Sequence, residues 1–68
     1  MDASQIREHM KVVGPDGRHL GTVDRIEGTR IKLAKSDSKD GQHHYLEMSD
    51  IDGVKNGELC VNKNARMH

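Results

Sequence analysis

Turn signals cut this chain into pieces too short to form anything but strands and single helical turns. The clearest is Gly14-Pro15-Asp16-Gly17, in which proline presets the second turn position and glycine suits the last position of a type I turn. Glu27-Gly28-Thr29 supplies a second tight reversal, and the wholly polar run Ser36-Asp37-Ser38-Lys39-Asp40-Gly41 a loop. Asn56-Gly57 stands between two apolar-containing runs and accepts the positive φ angles of a type I′ hairpin. No long helix fits between these points. In 68 residues there is room for one domain, expected over 1–68 with its core at about 6–61 and a frayed tail over 62–68.

The segments between the turns read mostly as strands. Arg30-Ile31-Lys32-Leu33-Ala34-Lys35 alternates with period two, so Ile31 and Leu33 face inward while Arg30 and Lys32 face out. Leu59-Cys60-Val61 alternates in the same way, with Cys60 opposite its neighbours. Leu20, Val23 and Ile26 recur at intervals of three, which suits neither a flat strand nor a helix. A bulge at Gly21 resolves the spacing by bringing Leu20 and Val23 onto one face. His43 to Met48 resumes the strand pattern, and Ser49-Asp50-Ile51-Asp52 reads as a short turn that sends Ile51 inward. Ahead of the first strand, Asp2 can cap, Gln5 stands three residues on, and Ile6 and Met10 share a face, so a short N-terminal helical turn is expected.

Apolar residues are scarce. The chain has 13 valines, isoleucines and leucines, and Tyr45 is its one aromatic residue, so nearly every aliphatic must be buried. The expected fold is all-β, a small antiparallel barrel of five or six strands, because closing the sheet removes exposed edges.

Val12-Val13-Gly14-Pro15-Asp16-Gly17-Arg18-His19-Leu20-Gly21-Thr22-Val23-Asp24 resembles the opening of a PRC-barrel domain, with a strand, a D-G turn and an aliphatic-Gly-x-Val strand. Downstream, Leu46-Glu47-Met48-Ser49-Asp50-Ile51 and a last strand near Val61 continue the likeness. The chain is similar to a small bacterial group of uncharacterised PRC-barrel-like proteins in which the His-His-Tyr segment recurs. The resemblance implies a compact barrel used for binding, and it carries Gly17 and Gly21 over as fold residues. Relatives include a domain of a photosynthetic reaction-centre subunit and the C-terminal module of a ribosome maturation factor. These 68 residues hold neither the membrane helix of the first nor the RNA-facing module of the second. Neither job carries over.

The 11 basic and 11 acidic side chains balance, which argues against a strongly electrostatic nucleic-acid binder. An outward row of Arg30, Lys32 and Lys35, joined by Arg18 and Arg25, still offers a local basic strand face, so weak RNA or ribosome association is the second reading. The five histidines raise a third, metal binding. His43 and His44 are adjacent on a strand and point to opposite faces, neither Cys-x-x-Cys nor His-x-x-x-His occurs, and His9 or His19 could join them only through space. No metal or other cofactor is therefore expected. Catalysis is not expected either, because a barrel this small has no lid or second domain to build a cleft, and no nucleophile elbow surrounds any serine. What remains is a non-catalytic protein-interaction module whose partner is another protein, a second copy of the chain included. Tyr45, His43, His44, Arg30 and Lys32 are its candidate contacts, and Gly17, Gly21 and Gly57 its fold-critical glycines. Neither a secretory leader nor a membrane-length apolar run is present, and the single cysteine suits a reducing compartment, so a cytoplasmic protein is expected.

Overall fold

A computed structural model describes residues 5–38, 40–63 and 65. Six strands form one sheet: β1 (Lys11–Val13), β2 (His19–Glu27), β3 (Arg30–Leu33), β4 (Tyr45–Glu47), β5 (Ile51–Lys55) and β6 (Glu58–Val61). Their order is β4-β3-β2-β1-β6-β5. Two 3-10 turns, Lys35–Asp37 and Met48–Asp50, interrupt the connections, and no α-helix occurs among the described residues.

The turns lie where the sequence puts them. Gly17 N–H donates to the Gly14 carbonyl at 2.9 Å, with Gly17 at φ 83. Asn56 and Gly57, at φ 54 and 77, both take the left-handed angles that a type I′ hairpin demands.

The interval of three along β2 is explained by two bulges rather than one. Val12 pairs with Gly21 and Val13 with His19, leaving Leu20 as an extra residue; Val23 pairs with Leu33 and Arg25 with Lys32, leaving Asp24 as a second. Each bulge absorbs one residue, so the inward pairs Val23–Leu33 and Ile26–Ile31 stay in step although β2 spends three residues where β3 spends two. The same kinked strand serves both halves of the sheet. Its first residues pair with β1 and its last with β3.

The sheet is neither antiparallel throughout nor closed, contrary to the barrel expected. β1 and β6 run parallel, and β4 and β5 are the two edges. The cause lies between those edges. Met48–Asp50 carries the chain from β4 into β5 without reversing it, so the hairpin that follows returns β6 in the sense of β1. The same turn throws Ile51 inward, as its sequence suggests; it is 7% exposed.

Of the expected N-terminal helical turn, the described residues show a single 3-10 position at Gln5 and no helix continuing toward Met10. Asp2 lies outside the described residues. Within them Met10 N–H donates to the Arg7 carbonyl at 3.3 Å and His9 sits at φ 69, an angle that cannot continue a right-handed helix. The backbone is satisfied by β2 instead, since His9 N–H donates to Val23 C=O at 2.8 Å and Val23 N–H to Met10 C=O at 2.9 Å. Ile6 nevertheless docks into the core, at 6% exposure. At the other end Asn62 N–H donates to Asp50 C=O at 2.9 Å, Lys63 is exposed and Ala65 packs on the core, while Asn64 and 66–68 of the expected tail lie outside the described residues.

Ten aliphatic side chains are buried, and Leu20, Ile26 and Val54 pack against them, which accounts for all 13. The centre is Val12, Val23, Ile31, Leu46 and Leu59, each at 1% exposure or less. Gly21 marks a close approach in the core: a Cβ there would stand 3.3 Å from Leu33 Cδ1, so β2 and the end of β3 could not close around a side chain without displacing Leu33.

Candidate functional site

Two regions of β2, β3 and β4 gather functional side chains, and the register determines which residues share each. On the outer face, Arg30 stands between Glu27 of β2 and Glu47 of β4, while Lys32 stands between Arg25 and Tyr45. Arg30 Nε lies 3.6 Å from Glu47 Oε1, and its guanidinium carbon 4.5 Å from the centroid of the Tyr45 ring. Arg25 Nη2 lies 2.7 Å from Glu27 Oε2, and Arg18 Nε lies 4.0 Å from Asp16 Oδ2. Tyr45, Arg30 and Lys32 are thus assembled on one face. The three arginines of the basic set each face a carboxylate, so the row is not an uncompensated positive stripe. Half-buried Tyr45 is roofed by Arg30, a contact worth roughly 0.5–1 kcal/mol at an exposed site.

His43 and His44 diverge, as neighbours on an extended chain should. His43 Nδ1 donates to the Leu33 carbonyl at 2.8 Å, capping the end of β3. His44 turns toward a cleft between the start of β2 and the β3–β4 loop. His19 and His44 both line this cleft, but no group of three or more histidine, cysteine, aspartate or glutamate side chains able to hold a metal ion occurs among the described residues.

That cleft encloses about 460 Å³. Leu20, Gly21, Leu33 and Ala34 make an apolar floor, and Arg18, His19, Asp37, Ser38, Asp40 and His44 the remaining wall and rim. The rim is built by two aspartates of the loop, of which Asp37 reaches back to β2 and Asp40 is held within the loop itself. Thr22 Oγ1 and His19 Nε2 both donate to Asp37 Oδ2, at 2.5 and 2.7 Å. Ser38 Oγ donates to Asp40 Oδ1 at 2.6 Å, Gln42 N–H to the same oxygen at 3.0 Å, and His44 Nε2 lies 3.0 Å from both carboxylate oxygens. These donors favour the ionised form. The Thr22 hydroxyl, then His19, hold the Asp37 carboxyl below its ordinary value, and the Ser38 hydroxyl, then His44 and the Gln42 amide, lower that of Asp40 to about 2.

Reading the sequence alone misses Asp37, Asp40 and Thr22 as site residues. Asp37 and Asp40 look like ordinary loop formers, which they also are. The available signal is two aspartates three apart in a loop that runs on into His43-His44, with His19 opening β2. The pairing itself is made through space by the bulged start of β2.

The fold and the cleft together define a small β domain with a concave, polar-rimmed site beside a charge-paired sheet face. The chain belongs to the bacterial family described as "Uncharacterized protein conserved in bacteria (DUF2171)", which matches it over residues 6–67. No curated protein and no solved structure matches the chain. No helix among the described residues is long and apolar enough to cross a membrane.

Proposed function

We propose that this chain is a non-catalytic protein-interaction module of the PRC-barrel-like kind, acting in the cytoplasm, and that its contact site is the cleft between β2 and the β3–β4 loop. The observation that carries the reading is the cleft's composition: an aliphatic floor open to solvent, rimmed by two aspartates already fixed in place. Concave apolar surface with a few oriented polar groups is where a partner gains both area and direction. Kinship with PRC-barrel domains is supported by the strand, turn and strand of Val12 to Asp24, although the edges of this sheet stay apart. The absence of catalysis is supported by the carboxylates themselves. Asp37 and Asp40 are ionised well below neutrality, whereas a general acid or base works best near the operating pH. Pairing of Arg18, Arg25 and Arg30 with carboxylates favours a protein partner over nucleic acid.

The test is crosslinked capture of a defined partner from the native host with wild type and with Ala34→Phe, which fills the cleft from its floor. Loss of that partner with an unchanged melting temperature is the expected result. Equal capture by the two proteins overturns the assignment of the cleft as the contact site.

A further inference from the structure

The chemistry of the cleft narrows the kind of group it accepts. Its volume, about 460 Å³, falls within the range of roughly 300–1,000 Å³ in which ligand sites hold a bound group. Its floor offers the half-buried side chains of Leu20 and Ala34, backed by Leu33 and deepened where Gly21 has no side chain. Charge on the rim is one-sided. Among the described residues of the rim, the carboxylates of Asp37 and Asp40 stand against the one guanidinium of Arg18, which lies 4.0 Å from Asp16 Oδ2 outside the cleft, so negative charge is in excess. The described donors of these carboxylates satisfy them only in part. Both groups that reach Asp37 do so at Oδ2, so Oδ1 keeps its accepting capacity.

An anionic ligand would meet two carboxylates of its own sign. A purely aliphatic one would cover those carboxylates and strip water from them with nothing in return. A group that carries an alkyl stem and a cationic head satisfies both parts of the wall, which is the amphipathic character of lysine and arginine side chains. We propose that the cleft docks a lysine or arginine side chain of a partner protein, its methylene stem against Leu20 and Ala34 and its charged head at Asp37 and Asp40. This rests on the interaction reading above and names the partner's chemistry at the same site. The rigidity needed is already present, because Thr22, Ser38, His19 and His44 hold the two carboxylates before any ligand arrives.

The experiment titrates the isotope-labelled protein with blocked glycine-flanked peptides bearing one central lysine, arginine, norleucine or glutamate, and follows backbone amide shifts. Lysine and arginine peptides should give saturable shifts centred on Gly21, Ala34 and His44. Norleucine has the stem without the charge and should bind at least two-fold more weakly, and glutamate should not bind. Asp37→Asn and Asp40→Asn should each weaken the lysine peptide by roughly two- to five-fold, the range for an exposed ion pair. Because those variants also loosen the loop, the lysine-to-norleucine ratio in wild type is the deciding measurement. Equal affinity for lysine and norleucine, or saturable shifts confined to another surface, overturns the proposal. If Ala34→Phe abolishes partner capture while lysine and norleucine remain equal, the cleft is still the contact site and only its cationic occupant is wrong. If Ala34→Phe changes nothing, the parent reading fails first.

Discussion

The outer face of β2, β3 and β4 and the cleft at their margin draw on the same strands but treat charge in opposite ways. On the face, Arg30 meets Glu47 across the ladder and Arg25 meets Glu27 along β2, so positive and negative groups cancel where they stand. In the cleft, Asp37 and Asp40 are held by hydroxyls, a backbone amide and imidazoles. Hydroxyl, amide and neutral imidazole donors satisfy lone pairs without contributing a full opposite charge, so with these partners the carboxylates are fixed in position and their field persists. Neutralising a charge and orienting it are different operations. The first silences a surface and discourages edge-to-edge association; the second prepares one for a partner.

The strongest way to break this comparison is to remove what both regions rest on. Leu33 is 2% exposed, packs in the core and also floors the cleft, whereas Ile31, fully buried on the same strand, does not line the cleft. Leu33→Ala should cost about 2–5 kcal/mol in denaturant unfolding, and Ile31→Ala a similar amount. Only the Leu33 change should shift the amide resonances of Ala34 and Asp37 in the folded protein. If both variants disturb those resonances equally, the cleft is not a separable region of the fold.

A smaller effect is expected from the contact between the two halves of the sheet. Gly21→Val places a branched side chain where a Cβ alone meets Leu33 Cδ1 at 3.3 Å, so Leu33 must give way or β2 must straighten. Overpacking of this kind costs about 1–3 kcal/mol. Gly21→Ala should cost less, because the atom it meets is the mobile end of a side chain. Equal and negligible losses for alanine and valine in thermal unfolding would mean that the bulge at Leu20, not the bare glycine, makes the bend.

Much of this architecture can be read from local signals. The Asn56-Gly57 hairpin, the Gly14 to Gly17 turn and the alternation through Ile31 and Leu33 are dictated by residues a few positions apart, and each appears as written. The interval of three along β2 announces a bulge, but nothing within β2 counts how many, because a bulge is defined by the partner strand. The second one, at Asp24, is visible only against β3. Closure failed for a related reason. Whether the chain reverses between β4 and β5 depends on a three-residue turn, Met48–Asp50, whose composition suits a reversal and a straight passage alike. The candidate site was legible in halves. Arg30 and Lys32 share a face by strict period, whereas Tyr45 joins them only through the β3–β4 register and His19 reaches Asp37 across 18 positions, contacts that no local spacing encodes.

The finest test concerns how the cleft keeps its charge. The carboxyl of Asp40 is drawn down to about 2, first by the Ser38 hydroxyl, then by His44 and the Gln42 amide. A folded-state value below the unfolded one means that the ionised form is the better bound. Its contribution to loop order is therefore complete above about pH 4, the ordinary aspartate value, and is lost as the pH falls toward 2. Carbon-detected titration of the Asp40 side chain should give a midpoint near 2, with the Gln42 amide resonance following it as its acceptor takes up a proton. Ser38→Ala, which deletes the foremost of these donors, should move the midpoint up toward the ordinary value while leaving the Arg30–Glu47 face unperturbed. A wild-type midpoint near 4, or one indifferent to Ser38, would mean that Asp40 is an unheld surface charge. The contrast between a fixed anionic rim and a cancelled outer face would then disappear.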